Sequence, residues 1–396
     1  MACTDMKDKI DGLLRAATHR GDVPGVAALV TDGRQNLYEG AFGERTLGSG
    51  QSMALDTVCW IASMTKPITT VAALQLVERG KLELDAPATR WLPQLAEARV
   101  LEGFGADGQP QTRPPRQAIT LRHLLTHTSG FGYEFWSADT QRYQAARKIS
   151  SITSCANDAL MAPLLFDPGT RWEYGTGVDW AGKAVEAASG QRLGAYLREN
   201  VLEPLGMQDT AFRITPQARE RLAKLHQRSD SGNLAAIDLE MPQDPQFEMG
   251  GGGLYGSAAD YGRFIRMILN RGRAGDRQIL RSECVDLMGS NQIGGLPVTM
   301  LRTAMPTLSN DAEFFPGTCK AWGLGFQINQ ERAFTGQSAG SLMWAGLANT
   351  YFWIDPAKGI GGAYLSQILP FADRKSLSLF YEFERTVYEA LGPARA

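Results

Sequence analysis

The chain has 396 residues, 43% of them hydrophobic and 21% charged, with a formal net charge of -2. That length is too great for one simple core, so two domains or a large insertion are expected, and the composition is that of an ordinary folded globule. The near-neutral balance gives no basic field for nucleic acid, and no apolar run is long enough to span a bilayer. A polar N-terminus and five scattered cysteines (Cys3, Cys59, Cys155, Cys284, Cys319) without a C-x-x-C lead us to expect a reduced, cytoplasmic setting.

In chain order, residues 5–18 read as a helix with Met6, Ile10, Leu13 and Leu14 on one face. Residues 25–31 and 36–42 read as strands joined at Asp32-Gly33. A helix begins near Ser63, because Pro67 is tolerated only in a first turn, and it runs through Arg79 to stop at Gly80. From Lys81 the pattern changes: 105–116 reads as a surface loop, 119–128 as a helix ending at Ser129-Gly130, and 179–189 as a helix closed by Gly190. Residues 227–245 are mostly polar, and Ser257 to Asp260 form a capping box for an apolar helix over 261–269. Strand patterns return at 322–328, 341–354 and 361–368, and 377–391 is a closing amphipathic helix. Strands at both ends of a helical middle predict a mixed α/β (α+β) fold with one antiparallel sheet flanked by helices. Residues 1–80 and 250–396 would form the sheet domain, and 81–249 an inserted, mainly helical domain.

The chemistry is concentrated in Ser63-Met64-Thr65-Lys66. A serine hydroxyl is a weak nucleophile until a base takes its proton, and a lysine three residues later on a helix shares its face. Ser63 would also sit at a helix start, where free N–H groups favour developing negative charge. An S-x-x-K occurs by chance on many exposed helices, so the other residues decide. Tyr174 follows the turn Asp167-Pro168-Gly169 and precedes a helix; read alone it is a packed aromatic. Trp344-Ala345-Gly346 lies in a strand-like run, where glycine marks a close approach or a bulge.

In the order of these three motifs, and in their surroundings (61–66, 124–130 and 250–260), the chain resembles the serine beta-lactamase and penicillin-binding-protein superfamily. It is similar to class C beta-lactamases and most closely to the family VIII carboxylesterases. The resemblance implies a beta-lactamase-like fold, an acylated Ser63, proton transfer shared by Lys66 and Tyr174, and an oxyanion hole from the backbone N–H groups of Ser63 and Leu347. It leaves open whether Lys66 or Tyr174 is the base, since two such neighbours titrate as one unit. Two departures tilt the reading from lactams to esters. Thr176 stands where the lactamases place Asn, and Trp344 stands where they usually place a lysine that grips the lactam carboxylate. Trp344 and Gly346, with Phe131, Tyr133 and Trp136 from an aromatic cluster, are the expected substrate-binding residues.

Other patterns are set aside. Gly336 to Gly340 matches a nucleophile elbow, but all four histidines (His19, His123, His127, His226) precede Ser338, the reverse of the order that fold needs. Gly251 to Gly256 matches G-x-G-x-x-G without a preceding strand, and is expected to be a tight backbone near the cleft. His123 and His127 have zinc-like spacing without an acidic base between them, and a structural role is expected. Asp179, five residues after Tyr174, reads as a helix-start acid in preference to a partner of the site's residues. The expected function is a serine carboxylesterase acting on short-chain esters through an acyl-enzyme. No metal or organic cofactor is expected, and the only partner is a small-molecule ester, with no nucleic acid and no membrane. A weak beta-lactamase or D,D-peptidase, an acyltransferase on the same fold, and a non-catalytic binding protein are the alternatives. The natural ester and the oligomeric state stay open.

Overall fold

A computed structural model describes residues 2–392, with side chains from Asp5 onward; the side chain of Cys3 lies outside the described residues. Helix α1 (Ala2–His19) buries Met6, Ile10, Leu14 and Ala17, a stripe at helical spacing. Strands β1 (Gly25–Asp32) and β2 (Asn36–Gly43) follow as an antiparallel hairpin. Its turn is held by Asp32, whose carboxylate accepts from the N–H groups of Arg34 and Gln35. The chain then leaves the sheet. Helix α2 (Thr65–Glu78) is buried from Thr65 to Leu76 and packs against α3 (Gly177–Ser189). Helix α4 (Ala258–Leu269) starts at Ser257, whose side chain accepts from the Asp260 N–H.

The sheet resumes with β3 (Lys320–Trp322), β4 (Gln327–Asn329), β5 (Leu342–Gly346), β6 (Thr350–Asp355) and β7 (Ile360–Leu365), before helix α5 (Arg374–Leu391). The order across the sheet is β3-β4-β5-β6-β7-β1-β2, with every neighbouring pair antiparallel. The two faces are read off β6. Tyr351 and Trp353 meet Phe380 and Phe383 of α5, while Phe352 between them meets Tyr261 of α4. Helices α1 and α5 pack on each other on the first side. The fold is thus beta-lactamase-like in outline: a twisted antiparallel sheet between helices, with α2 and α3 beyond it.

Several sequence expectations are corrected. Residues 322–328 and 341–354, each read as one strand, are both folded into hairpins, turning through Gly325 (φ +89) and Asn349 (φ 58). The second turn hid in the pattern because Leu347 and Ala348 are apolar and buried, so no polar break marks it. Within 105–116, read as loop, Pro110–Arg113 pairs with Val100–Phe104. Within 119–128, only Leu121–Leu125 is helical, and His127 takes a left-handed conformation (φ 59). Pairings link residues of 81–249 to residues outside that range. Leu225–Arg228 pairs with Ile368–Leu369, and Ala211 bridges Tyr255.

Candidate active site

Ser63 lies in a single 3-10 turn, Ala62–Met64, just ahead of α2. Ala62 before it is held at φ 46, a left-handed conformation that costs a residue with a Cβ about 1–3 kcal/mol and that packing must sustain. Around the turn Ala62, Met64, Thr65 and Lys66 are buried, while Ser63 is partly exposed. The turn therefore presents one hydroxyl outward and sends the lysine inward.

Lys66 has no solvent exposure. Its Nζ lies 3.1 Å from Ser63 Oγ, 3.0 Å from the Tyr133 hydroxyl and 2.6 Å from the carbonyl oxygen of Gly251. It also sits 4.5 Å from the centroid of the Tyr174 ring. Burial favours the neutral amine and pulls Lys66 down to about 7, against the opposing pull of the Asp179 carboxylate. Asp179 is equally buried. Burial pushes it above the usual carboxylate range, and the charge of Lys66, the Gly251 N–H and the Tyr133 hydroxyl hold it back. Its Oδ1 accepts from the Gly251 N–H at 2.7 Å and its Oδ2 from the Tyr133 hydroxyl at 3.0 Å. Asp179 lies in the first turn of α3, the helix-start position favoured from sequence, and it also fills the other role weighed for it, as a neighbour of the lysine. The glycine run does form a tight backbone here: a Cβ on Gly251 would stand 2.5 Å from Asp179 Oδ2 and 2.7 Å from the Tyr133 oxygen.

Tyr174 is buried, and its hydroxyl accepts from Trp344 Nε1 at 2.9 Å. Burial pushes this phenol well above its ordinary value, partly offset by hydrogen bonding with Ser63 and Trp344. Trp344 is therefore more than the apolar wall expected from sequence, since its one polar atom is spent on the tyrosine. Gly346, at the end of β5, has a physical reason to be glycine. A Cβ there would lie 2.3 Å from the Ile61 carbonyl oxygen and 2.2 Å from Thr350 Oγ1, so its absence lets β5 close on the Ser63 turn. The N–H groups of Ser63 and Leu347 donate to no acceptor among the described residues.

The expected aromatic cluster divides. Trp136 is partly exposed, 5.4 Å from the Tyr174 ring, and is anchored by Nε1 to Ser309 Oγ at 2.9 Å. Tyr133, expected to line an acyl pocket, instead spends its hydroxyl on Lys66 and Asp179. Phe131 is turned away: its ring stacks on Trp180 at 6.0 Å, and it lines a different surface hollow with Leu160 and Met161. The sequence reading missed Trp322, Phe314 and Phe371. Trp322 and Phe314 pack at 4.6 and 5.6 Å on Trp344, and Phe371 at 6.2 Å on Trp136. They come from distant segments and follow no motif. His127 is also packed here, 4.6 Å from the Tyr174 ring, with Nδ1 accepting from the Gly175 N–H. Burial first, and the Lys66 charge second, keep it neutral. His123 caps its own short helix with Thr120. Thr176 is buried with its hydroxyl unpartnered, and Ser338 sits in a turn whose N–H is held by Asp355. Among the described residues no group of three His, Cys, Asp or Glu side chains is arranged to hold a metal, and no helix is long and apolar enough to cross a membrane.

A nucleophile-bearing turn, a buried lysine against it, a tyrosine beside it and a strand closing on it suit acyl transfer to a serine. The family model described as Beta-lactamase matches residues 10–381. The chain belongs to the beta-lactamase family. Among its relatives in the family, the chain is 32% identical to monacolin J acid methylbutanoyltransferase of Aspergillus terreus, covering 98% of this chain and 97% of that one. It is 33% identical to the lovastatin esterase of Penicillium rubens, covering 96% and 98%. Among solved structures it resembles a mutant of simvastatin synthase (LovD) from Aspergillus terreus with a TM-score of 0.84 at 33% identity, covering 96% of each chain. This beta-lactamase-family chain is therefore an enzyme of the serine hydrolase and acyltransferase type. Its relatives include both ester-cleaving and acyl-transferring proteins.

Proposed function

We propose that this protein cleaves short-chain carboxylic esters through an acyl-enzyme on Ser63. The observation that carries the reading is the 3.1 Å contact between Lys66 Nζ and Ser63 Oγ inside a buried environment. Burial lowers the lysine and raises the Tyr174 phenol, which favours Lys66 as the base and Tyr174 as a proton donor. In acylation the Ser63 O–H proton passes to Lys66 as Oγ bonds to the ester carbon. The resulting oxyanion is received by the N–H groups of Ser63 and Leu347, each such donor being worth on the order of 10²–10³ in rate. The C–O bond to the alcohol then breaks, and the leaving oxygen takes a proton from Tyr174, which is resupplied from Lys66. In deacylation water enters by the reverse route and frees the acid. Trp136 and Trp344 provide the walls for a neutral acyl group.

A second reading is favoured by the relatives named as acyltransferases: an alcohol replaces water in the second half. The test is a burst assay with p-nitrophenyl butyrate, with mass spectrometry of the quenched protein and added alcohols as acceptors. A butyryl adduct on Ser63 is expected. Product ester rising with alcohol at constant p-nitrophenol release would move the assignment to acyl transfer. Labelling elsewhere, or none, would overturn the reading. A chromogenic cephalosporin is expected to turn over slowly. The lost cation at position 344 removes a charge-assisted contact worth roughly 1.5–3 kcal/mol.

A further inference from the structure

Lys66 has three neighbours that accept hydrogen bonds, and an ammonium has three N–H groups to give them. A neutral amine has only two N–H groups and one lone pair. Which neighbour receives the lone pair decides whether the amine can act as a base toward Ser63. The Gly251 carbonyl oxygen can only accept, so it takes one N–H. Tyr133 could in principle donate or accept. Its own O–H, however, points to Asp179 Oδ2 at 3.0 Å, and a carboxylate only accepts. The Tyr133 oxygen is thereby turned to accept the second N–H, and the lone pair is left for the Ser63 hydroxyl.

We propose that Tyr133 and Asp179 are positioning residues that orient the neutral Lys66 amine so that its lone pair faces the Ser63 hydroxyl. This inference rests on the acyl-enzyme reading. Gly251 closes the arrangement from both ends, donating its N–H to Asp179 Oδ1 at 2.7 Å and offering its carbonyl to Lys66 at 2.6 Å. When Ser63 gives up its proton, the O–H bond breaks and a third N–H forms on Lys66. The same three acceptors then hold the ammonium without rearrangement. The charged and titratable groups facing Lys66 are Asp179 from α3, Tyr133, Tyr174 and neutral His127. Only Asp179 carries an opposite charge, and it raises the proton affinity of Lys66.

The test uses the full-length protein with Tyr133→Phe, which keeps the ring, and Asp179→Asn. Four quantities are read: kcat and KM for a p-nitrophenyl ester, the pH profile of kcat/KM, and the rate at which a fluorophosphonate labels Ser63. Rates are expressed per titrated active site, so that a lower folded fraction does not count. Tyr133→Phe is expected to lower kcat and the labelling rate together, by roughly 10²-fold, the lower end of a general-base contribution, with KM little changed. Asp179→Asn is expected to lower kcat and move the acid limb to lower pH, because the anion that favours protonated Lys66 is gone. Wild-type kcat and pH profile in Tyr133→Phe would overturn the proposal. So would a loss that vanishes when rates are counted per titrated site. Wild-type protein that never labels at Ser63 would be a different result, overturning the acyl-enzyme reading and this inference with it.

Discussion

Lys66, Tyr133 and Asp179 beside Ser63, and Asn329, Gln337 and Glu384 between β4 and α5, are both chains of hydrogen-bonded polar groups buried from solvent. In the second chain Asn329 Nδ2 donates to Gln337 Oε1 at 2.7 Å, and Gln337 donates onward to Glu384. Burial raises Glu384 to about 8, with the hydrogen bonds of Gln337 and Thr335 opposing and the nearby Asp355 adding to the rise. Desolvation thus perturbs both networks. They differ in two respects: the first contains an opposite charge, and it reaches a partly exposed hydroxyl. A strongly shifted group alone does not mark a site; the shifted group must touch something a substrate can reach.

The largest effect that tests this contrast is the loss of the nucleophile. Ser63→Ala is expected to reduce ester hydrolysis by on the order of 10⁴-fold or more and to abolish the adduct, while Glu384→Gln leaves kcat within about twofold. Comparable inactivation in both variants, measured per folded molecule, would erase the distinction between the networks. Next come the proton-transfer partners. Lys66→Ala and Tyr174→Phe should each lose most of kcat, and the double variant little more, because groups acting as one unit are not additive. Losses that multiply would place one of them outside the unit.

The pH dependence of stability sharpens the comparison from the other side. A carboxyl raised from 4.5 to about 8 binds more protons folded than unfolded across that window. Its contribution to stability is present below about 4.5 and is lost as pH rises to about 8, by roughly 1.4 kcal/mol for each pH unit in between. Glu384→Gln should flatten this part of the profile in chemical denaturation at a series of pH values; an unchanged slope would show that Glu384 is ionised in the folded protein. The smallest effect is at Trp344. Trp344→Phe removes one N–H bond to the Tyr174 hydroxyl, worth about 0.5–1.5 kcal/mol, so kcat should fall by roughly two- to tenfold. A loss as large as that of Tyr174→Phe would mean that the indole does more than hold the phenol.

Much of the site was legible because its parts are local. Ser63 and Lys66 are three residues apart, in a 3-10 turn and the first turn of the helix it leads into, so a short-range spacing was enough to predict that their side chains meet. The first hairpin and the helices over 2–19, 258–269 and 374–391 were similarly visible from apolar spacing and caps. Trp344-Ala345-Gly346 and Tyr174 entered through the order of motifs, and the structure adds the reason for Gly346: a backbone that must touch Ile61.

What the sequence by itself determined is therefore the family, the sheet-and-helix architecture and the candidate nucleophile with its lysine. Each of these depends on residue type at short range or on motif order along the chain. Tertiary structure alone decided that Tyr133 turns to Lys66 while Phe131 turns away from it to stack on buried Trp180, and that Asp179 faces the lysine. It also placed Trp322, Phe314 and Phe371 around Trp344 and Trp136. Those contacts join segments far apart in the chain, and no local pattern records them. The protonation of Lys66 belongs to the same class, because desolvation is a property of everything packed around a group and not of its neighbours in sequence.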